Sequence, residues 1–117
     1  MQTLIEVNKK LENGINIFEF SWELDETNAD KTFKTIYDDI GDFTWKNIIF
    51  NLSGLKYINS KSIWYIADVF SNIEDVNGKM YISNCSEWVK DILELVGITT
   101  IIPTVDTEAE ALSAIKK

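Results

Sequence analysis

Apolar and polar residues follow two rhythms along this chain, and each predicts an element type. Leu4 to Glu12 mixes apolar positions with Glu6 and Lys10 and reads as a weak strand. Asn13-Gly14 follows, a strong two-residue hairpin signal, because both residues tolerate positive φ. Ile15 to Trp22 is the return strand. Thr27 or Asn28 then caps a helix beginning near Ala29. Phe33, Ile36, Tyr37 and Ile40 fall at i, i+3, i+4 and i+7, one helical face, and Gly41 stops it. Asn47 to Leu52 is a short apolar run that suits a strand buried on both faces, ended by Ser53-Gly54. Ile63, Ile66, Ala67, Phe70 and Ile73 return to the helical period, up to Asn77-Gly78. Lys79 to Ser83 is a strand. Ser86 caps a helix that turns Val89, Ile92, Leu93 and Val96 inward, with Gly97 as its stop. Thr99 to Val105 reads as a final strand, placed at an edge by Pro103. Thr107 to Glu110 matches a capping box. It opens a helix through Ala111, Leu112 and Ile115, with Lys116 and Lys117 at its negative end.

The order is β-β-α-β-α-β-α-β-α. Strict alternation after an opening hairpin predicts an α/β fold with a mixed, mostly parallel sheet of about five strands and about four helices. A length of 117 residues suits one domain spanning 1–117, and 45% apolar residues suffice for a packed core. The longest apolar runs, Asn47 to Phe50 and Ile63 to Phe70, are far shorter than a membrane span. The opening MQTLIEVNKKLENG has no apolar block behind basic residues, so a cytoplasmic protein is expected.

Composition narrows the chemistry. The chain has no histidine, which removes the commonest general base and metal ligand together. Cys85 is the only cysteine, so an internal disulfide and a cysteine-pair metal site are excluded. A buried inert thiol is the expectation for it. Neither an enzyme acting alone nor a bound cofactor is expected. A net charge of -8 argues against nucleic acid; scattered acidic charge ordinarily serves solubility, and its sharper reading is steering toward a basic protein partner. Trp22, Trp45 and Trp88 read as core or loop packing.

The stretch Ile58-Asn59-Ser60-Lys61-Ser62 interrupts two apolar runs at a β-to-α junction. Reaction and ligand sites in open α/β sheets lie at the carboxyl ends of strands. Asn59 or Ser60 is the predicted N-cap of a helix starting at Lys61 or Ser62. The same geometry favours a phosphate on serine, because the helix N-terminus offers free N–H groups and positive charge. Lys61 is expected to add a charge-assisted contact.

Three stretches together resemble a STAS domain, the fold of bacterial anti-sigma factor antagonists. Trp22-Glu23-Leu24-Asp25 before a capped helix is similar to that family's Gly-Glu-Leu-Asp. Ile48 to Leu55, then Tyr57 to Ser62, resembles its Asp-Leu-Ser-Gly-Val and Phe-Ile-Asp-Ser-x-Gly. Leu93 to Ile98, then Ile102 to Glu108, resembles its closing Leu-Thr-Gly-Leu and Phe-x-Val-x-Asp-Thr-Glu. The resemblance implies a switch in which Ser60, in preference to Ser62, is phosphorylated by a partner that is both anti-sigma factor and serine kinase. A PP2C-type phosphatase would reset it. Asp25, Asn59, Lys61, Ser62 and Trp64 would form the partner surface, with Asp25 orienting the Ser60 hydroxyl. This sequence departs from the pattern at Asn51 and Asn59, where the family has aspartates, and at Ser62 and Trp64, where it has small residues. The asparagines also suit an alternative, a non-phosphorylated STAS docking subunit of a transporter or larger signalling assembly.

Overall fold

The computed structural model describes residues 4–116. Strands β1 (Ile5–Glu12) and β2 (Ile15–Leu24) form the hairpin, with Asn13 and Gly14 both at positive φ in the turn. Helix α1 (Ala29–Ile40), strand β3 (Asn47–Ile58), helix α2 (Ser60–Asp75), strand β4 (Lys79–Ser83) and helix α3 (Glu87–Leu95) follow. A short 3-10 turn (Ile98–Thr100), strand β5 (Thr104–Val105) and helix α4 (Glu108–Lys116) complete the chain. The sheet order is β1-β2-β3-β4-β5, with β1 antiparallel to β2 and all other pairs parallel.

Sequential parallel order has a geometric consequence. Each strand-helix-strand crossover is right-handed, so α1, α2 and α3 must fall on the same face of the sheet. Phe33 and Ile36 of α1, Ile66 and Val69 of α2, and Val89 and Leu93 of α3 accordingly share one core with Phe18, Phe20 and Phe50. Phe50 meets the edges of Phe18 and Phe20 at centroid distances of 5.7 and 5.1 Å, the preferred aromatic geometry. Burial of each such side chain contributes about 1.5–3 kcal/mol. The alternate residues Ile15, Ile17 and Ile49 point to the opposite face, where α4 covers them with Ala111 and Ile115.

Four expectations change. β3 does not stop at Ser53-Gly54 but runs on to Ile58. Two register shifts against β2 each place an extra residue in β3, and the turn-like Ser53-Gly54 lies in the first of them. Only Asn47 to Asn51 pair with β4, so Leu52 to Ile58 continue beyond it, held by β2. The final strand is two residues, not Thr99 to Val105, because Gly97 at φ 83 starts a 3-10 turn instead. Val96 sits past the end of α3 and is 54% exposed. Trp22, Trp45 and Trp88, expected in packing, are each more than 40% exposed. At α4 the Thr107 hydroxyl accepts from Glu110 N–H at 3.1 Å, as the capping box requires, and Lys116 occupies the last turn. Lys117 lies outside the described residues.

Candidate functional site

The junction between β3 and α2 sits at the carboxyl end of the parallel strands. Asn59 N–H donates to Leu24 C=O at 3.0 Å, which draws the start of α2 beside the end of β2 and hence beside Asp25. Asn59 keeps an extended backbone (φ -95, ψ 170) and its Oδ1 accepts from Ser62 N–H at 2.9 Å. Asn59 is therefore the N-cap, and the helix begins at Ser60, one residue earlier than predicted. The cap uses the side-chain amide oxygen of Asn59, which carries no charge.

The two serines part company here. Ser60 opens the first turn and is exposed. Ser62 is at 0% exposure, and its Oγ has no partner among the described residues. Ser62 therefore cannot touch a partner in the folded state, which corrects its place on the expected surface. The exposure pattern of α2 explains the difference. Ser62, Ile66, Val69 and Ile73 form the buried stripe, whereas Ser60 and Trp64 fall four residues apart on the outward stripe. Trp64 is 61% exposed.

Lys61 does not stand free for an anion. Its ammonium bridges both oxygens of Asp30 at 2.8 and 2.9 Å, and the Tyr65 hydroxyl donates to the same carboxylate at 2.6 Å. The hydrogen bonds from Lys61 and Tyr65 hold the Asp30 carboxyl below its ordinary range, and Asp30 in turn raises both Lys61 and Tyr65. Tyr65 stacks on Phe33 at 4.8 Å, so the group braces α1 against α2. One turn further along α2, Asp68 accepts from the Tyr37 hydroxyl, and burial together with that bond raises the Tyr37 phenol. Asp30 and Tyr65 escaped the sequence reading. Their signal was present, since Tyr65 follows Lys61 by four residues, but Asp30 comes from another helix.

Asp25 closes the loop before α1. Its Oδ1 accepts from Thr27 N–H at 2.9 Å and from Thr27 Oγ1 at 2.6 Å. Asn28 is the N-cap residue of α1, yet its side chain turns back, donating to Glu23 C=O and accepting from Asp25 N–H. On the other flank, Tyr57 stacks on Trp88 with ring centroids 5.9 Å apart, and both remain partly exposed. Asn51 lies away from this junction, on the α4 side of the sheet. It is buried, and its Nδ2 donates to Glu108 Oε1 at 2.9 Å. Glu108 and Glu19 both bind Lys10, at 2.9 and 3.0 Å. The amide at position 51 is thus explained by Glu108, against which an aspartate would set a second negative charge.

No group of three or more metal-ligating side chains occurs among the described residues. No helix among them is long and apolar enough to cross a membrane. The junction offers an exposed hydroxyl at the positive end of a sixteen-residue helix, flanked by an exposed indole. That arrangement can receive a phosphoryl group and hold it with main-chain N–H donors.

Comparison with known proteins agrees with this architecture. The STAS domain model matches residues 6–111. The anti-sigma F factor antagonist of Paenibacillus polymyxa is 22% identical over 112 residues, 96% of each chain. An anti-sigma factor antagonist from Mycobacterium paratuberculosis has the same fold, with a TM-score of 0.88 at 18% identity over 97% of this chain and 96% of that one. The Bacillus cell fate determinant SpoIIAA in its phosphorylated form has a TM-score of 0.72 at 18% identity, covering 94% of this chain and 99% of that chain. With a match that spans nearly its whole length, the chain belongs to the STAS domain family.

Proposed function

We propose that this protein is an anti-sigma factor antagonist of a bacterial partner-switching pathway, and that Ser60 is its phosphorylation site. The observation that carries the reading is the contrast at the start of α2: Ser60 is exposed at the helix N-terminus, whereas Ser62 is fully buried. The partner is an anti-sigma factor that is also a serine kinase, and a PP2C-type phosphatase removes the phosphate. The chain is the substrate of this cycle rather than an enzyme, and it works in the cytoplasm as a single domain.

Unphosphorylated, the protein binds its partner through the outward stripe of α2. Trp64 is the anchor, since a large exposed indole loses most water when a partner covers it. Asn59 and Lys61 border it, and Asp25 lies at the adjoining strand end. A phosphate on Ser60 adds roughly two negative charges one helical turn from Trp64. On a chain of net charge -8, burying that dianion under the partner opposes binding.

The test combines mass and affinity. The protein is incubated with ATP and its partner kinase, and intact mass is followed. One added phosphate on the parent and none on Ser60→Ala is expected. Ser60→Asp is expected to lose partner binding. A phosphate that persists in Ser60→Ala overturns the site. Full partner binding by Ser60→Asp instead favours a docking subunit that phosphorylation does not control.

A further inference from the structure

β1 is the last strand on its side of the sheet, and no strand pairs with its outer side among the described residues. Which of its backbone groups face outward follows from one bond. Glu23 N–H donates to Leu4 C=O at 3.1 Å across the hairpin. The register then runs without a shift from Ile5 opposite Trp22 to Glu12 opposite Ile15, so bonded and non-bonded pairs alternate along it. Glu6, Asn8, Lys10 and Glu12 therefore bond to β2, and the N–H and C=O groups of Ile5, Val7, Lys9 and Leu11 face away from it. An edge of this kind takes up a further strand when a complementary one is offered.

The strand complements itself. It holds two acids, Glu6 and Glu12, and two bases, Lys9 and Lys10, so it is locally neutral in a chain of net charge -8. A two-fold antiparallel pair sets odd positions opposite odd ones, because those carry the outward groups. With Asn8 on the axis, Glu6 faces Lys10 of the other copy, Ile5 faces Leu11 and Val7 faces Lys9. Centring on Lys9 instead sets Lys9 against Lys9 and Glu6 against Glu12. Centring on Val7 sets Ile5 against Lys9 and Glu6 against Asn8, and both the charge pair and the apolar pair are lost. In the Asn8 register Leu11, 69% exposed in the single chain, gains a neighbour in Ile5, which already packs on the main core. Lys10 spends two of its three N–H groups on Glu19 and Glu108, and Glu6 Oε1 accepts from Trp22 Nε1 at 2.9 Å. One N–H and one carboxylate oxygen are left for the pair. Exposed ion pairs contribute little energy, so the charges select the register while the backbone bonds and Leu11 supply the attraction.

We propose that β1 is a self-association surface: two copies of this chain pair antiparallel through it, about a two-fold axis at Asn8, and join their five-stranded sheets into one. The carboxyl ends of the parallel strands, and with them the two Ser60 hydroxyls, then point to opposite ends of the joined sheet. The surface is separate from Ser60 and does not depend on its phosphorylation.

Sedimentation of the full chain from micromolar to millimolar concentration is expected to show a reversible monomer–dimer equilibrium. Amide exchange at Ile5, Val7, Lys9 and Leu11 should slow as concentration rises, while Glu6, Asn8 and Lys10 stay equally protected. Glu6→Lys, which sets like charges across both pairs, is expected to weaken the dimer about fivefold or more. Under mild oxidation Asn8→Cys should crosslink to itself, since residues of a non-bonded pair stand about 4.5 Å apart at Cα. The parent, whose only cysteine is the half-buried Cys85, is the control. A chain that stays monomeric throughout, exchange that slows only at other amides, a Glu6→Lys dimer as tight as the parent's, or no more disulfide in Asn8→Cys than in the parent overturns the proposal. Sedimentation and exchange of the parent need no substitution, so they decide alone should a variant not fold.

Discussion

Gly54→Ala strikes the place where β3 bulges against β2. A Cβ at Gly54 would lie 2.4 Å from Ser21 Oγ, 2.9 Å from Phe20 carbonyl oxygen and 3.0 Å from Ser21 Cα. The hydroxyl can rotate away. The other two atoms are backbone and cannot move without shifting a central strand pair. Overpacking of this kind costs about 1–3 kcal/mol. The stiffer unfolded chain of alanine returns about 0.4–1 kcal/mol. The net loss is roughly 1–2 kcal/mol, which lowers Tm by about 4–8 °C at roughly 4 °C per kcal/mol. Urea and thermal unfolding followed by circular dichroism measure it. The same change in a Ser21→Ala background, which removes only the hydroxyl contact, should keep more than half of the loss. A Tm unchanged within a degree, or full rescue by Ser21→Ala, would refute the backbone-contact reasoning.

Asn51→Asp is expected to destabilise by about 1–3 kcal/mol at pH 7, since it removes the donor to Glu108 and sets two carboxylates together. Urea midpoints should show the deficit shrinking towards pH 4, where one carboxyl protonates. Asn59→Ala removes the α2 cap and should lower stability by about 1 kcal/mol in the same assay. Ser62→Ala, which deletes a buried unpartnered hydroxyl within a helix, should raise Tm instead. Burial pushes the Cys85 thiol up to about 11 from the ordinary 9.0. Alkylation at pH 8 should therefore be at least about tenfold slower in folded than in urea-unfolded protein. Because the folded value is the higher one, stability is intact below pH 9 and falls as pH rises from there towards 11.

Elements set by local pattern were legible in the sequence. The Asn13-Gly14 hairpin, the helical stripe from Phe33 to Ile40 and the strand Lys79–Ser83 follow from residues a few positions apart. The helix after β3 was legible too, although its cap could be narrowed only to Asn59 or Ser60. What failed depended on distant neighbours. Ser53-Gly54 has the composition of a turn, and only β2 alongside makes it a bulge in a continuing strand. Lys61 looks available for an anion until α1 brings Asp30 within 2.8 Å. Asn51 looks like a lost carboxylate of the switch until α4, fifty-seven residues further on, supplies Glu108. Ser60 and Ser62 are alike in sequence, and burial separates them only once the helix has a defined inward face.

The solitary position of α4 divides the molecule into layers of unequal permanence. The cluster beneath it comprises Ile15, Ile17, Ile49, Ala111 and Ile115, whereas the core under the other three helices is several times larger. α4 is fastened at its start by the ties from Glu108 to Asn51 and Lys10. Lifting it requires breaking those and baring a few isoleucines, with the aromatic core untouched. Such a partial opening lies well below global unfolding in free energy. Amide exchange in α4 should consequently run ahead of β2 and β3, and proteases should clip there first. A carboxy-terminal fusion would load the least permanent layer of the fold.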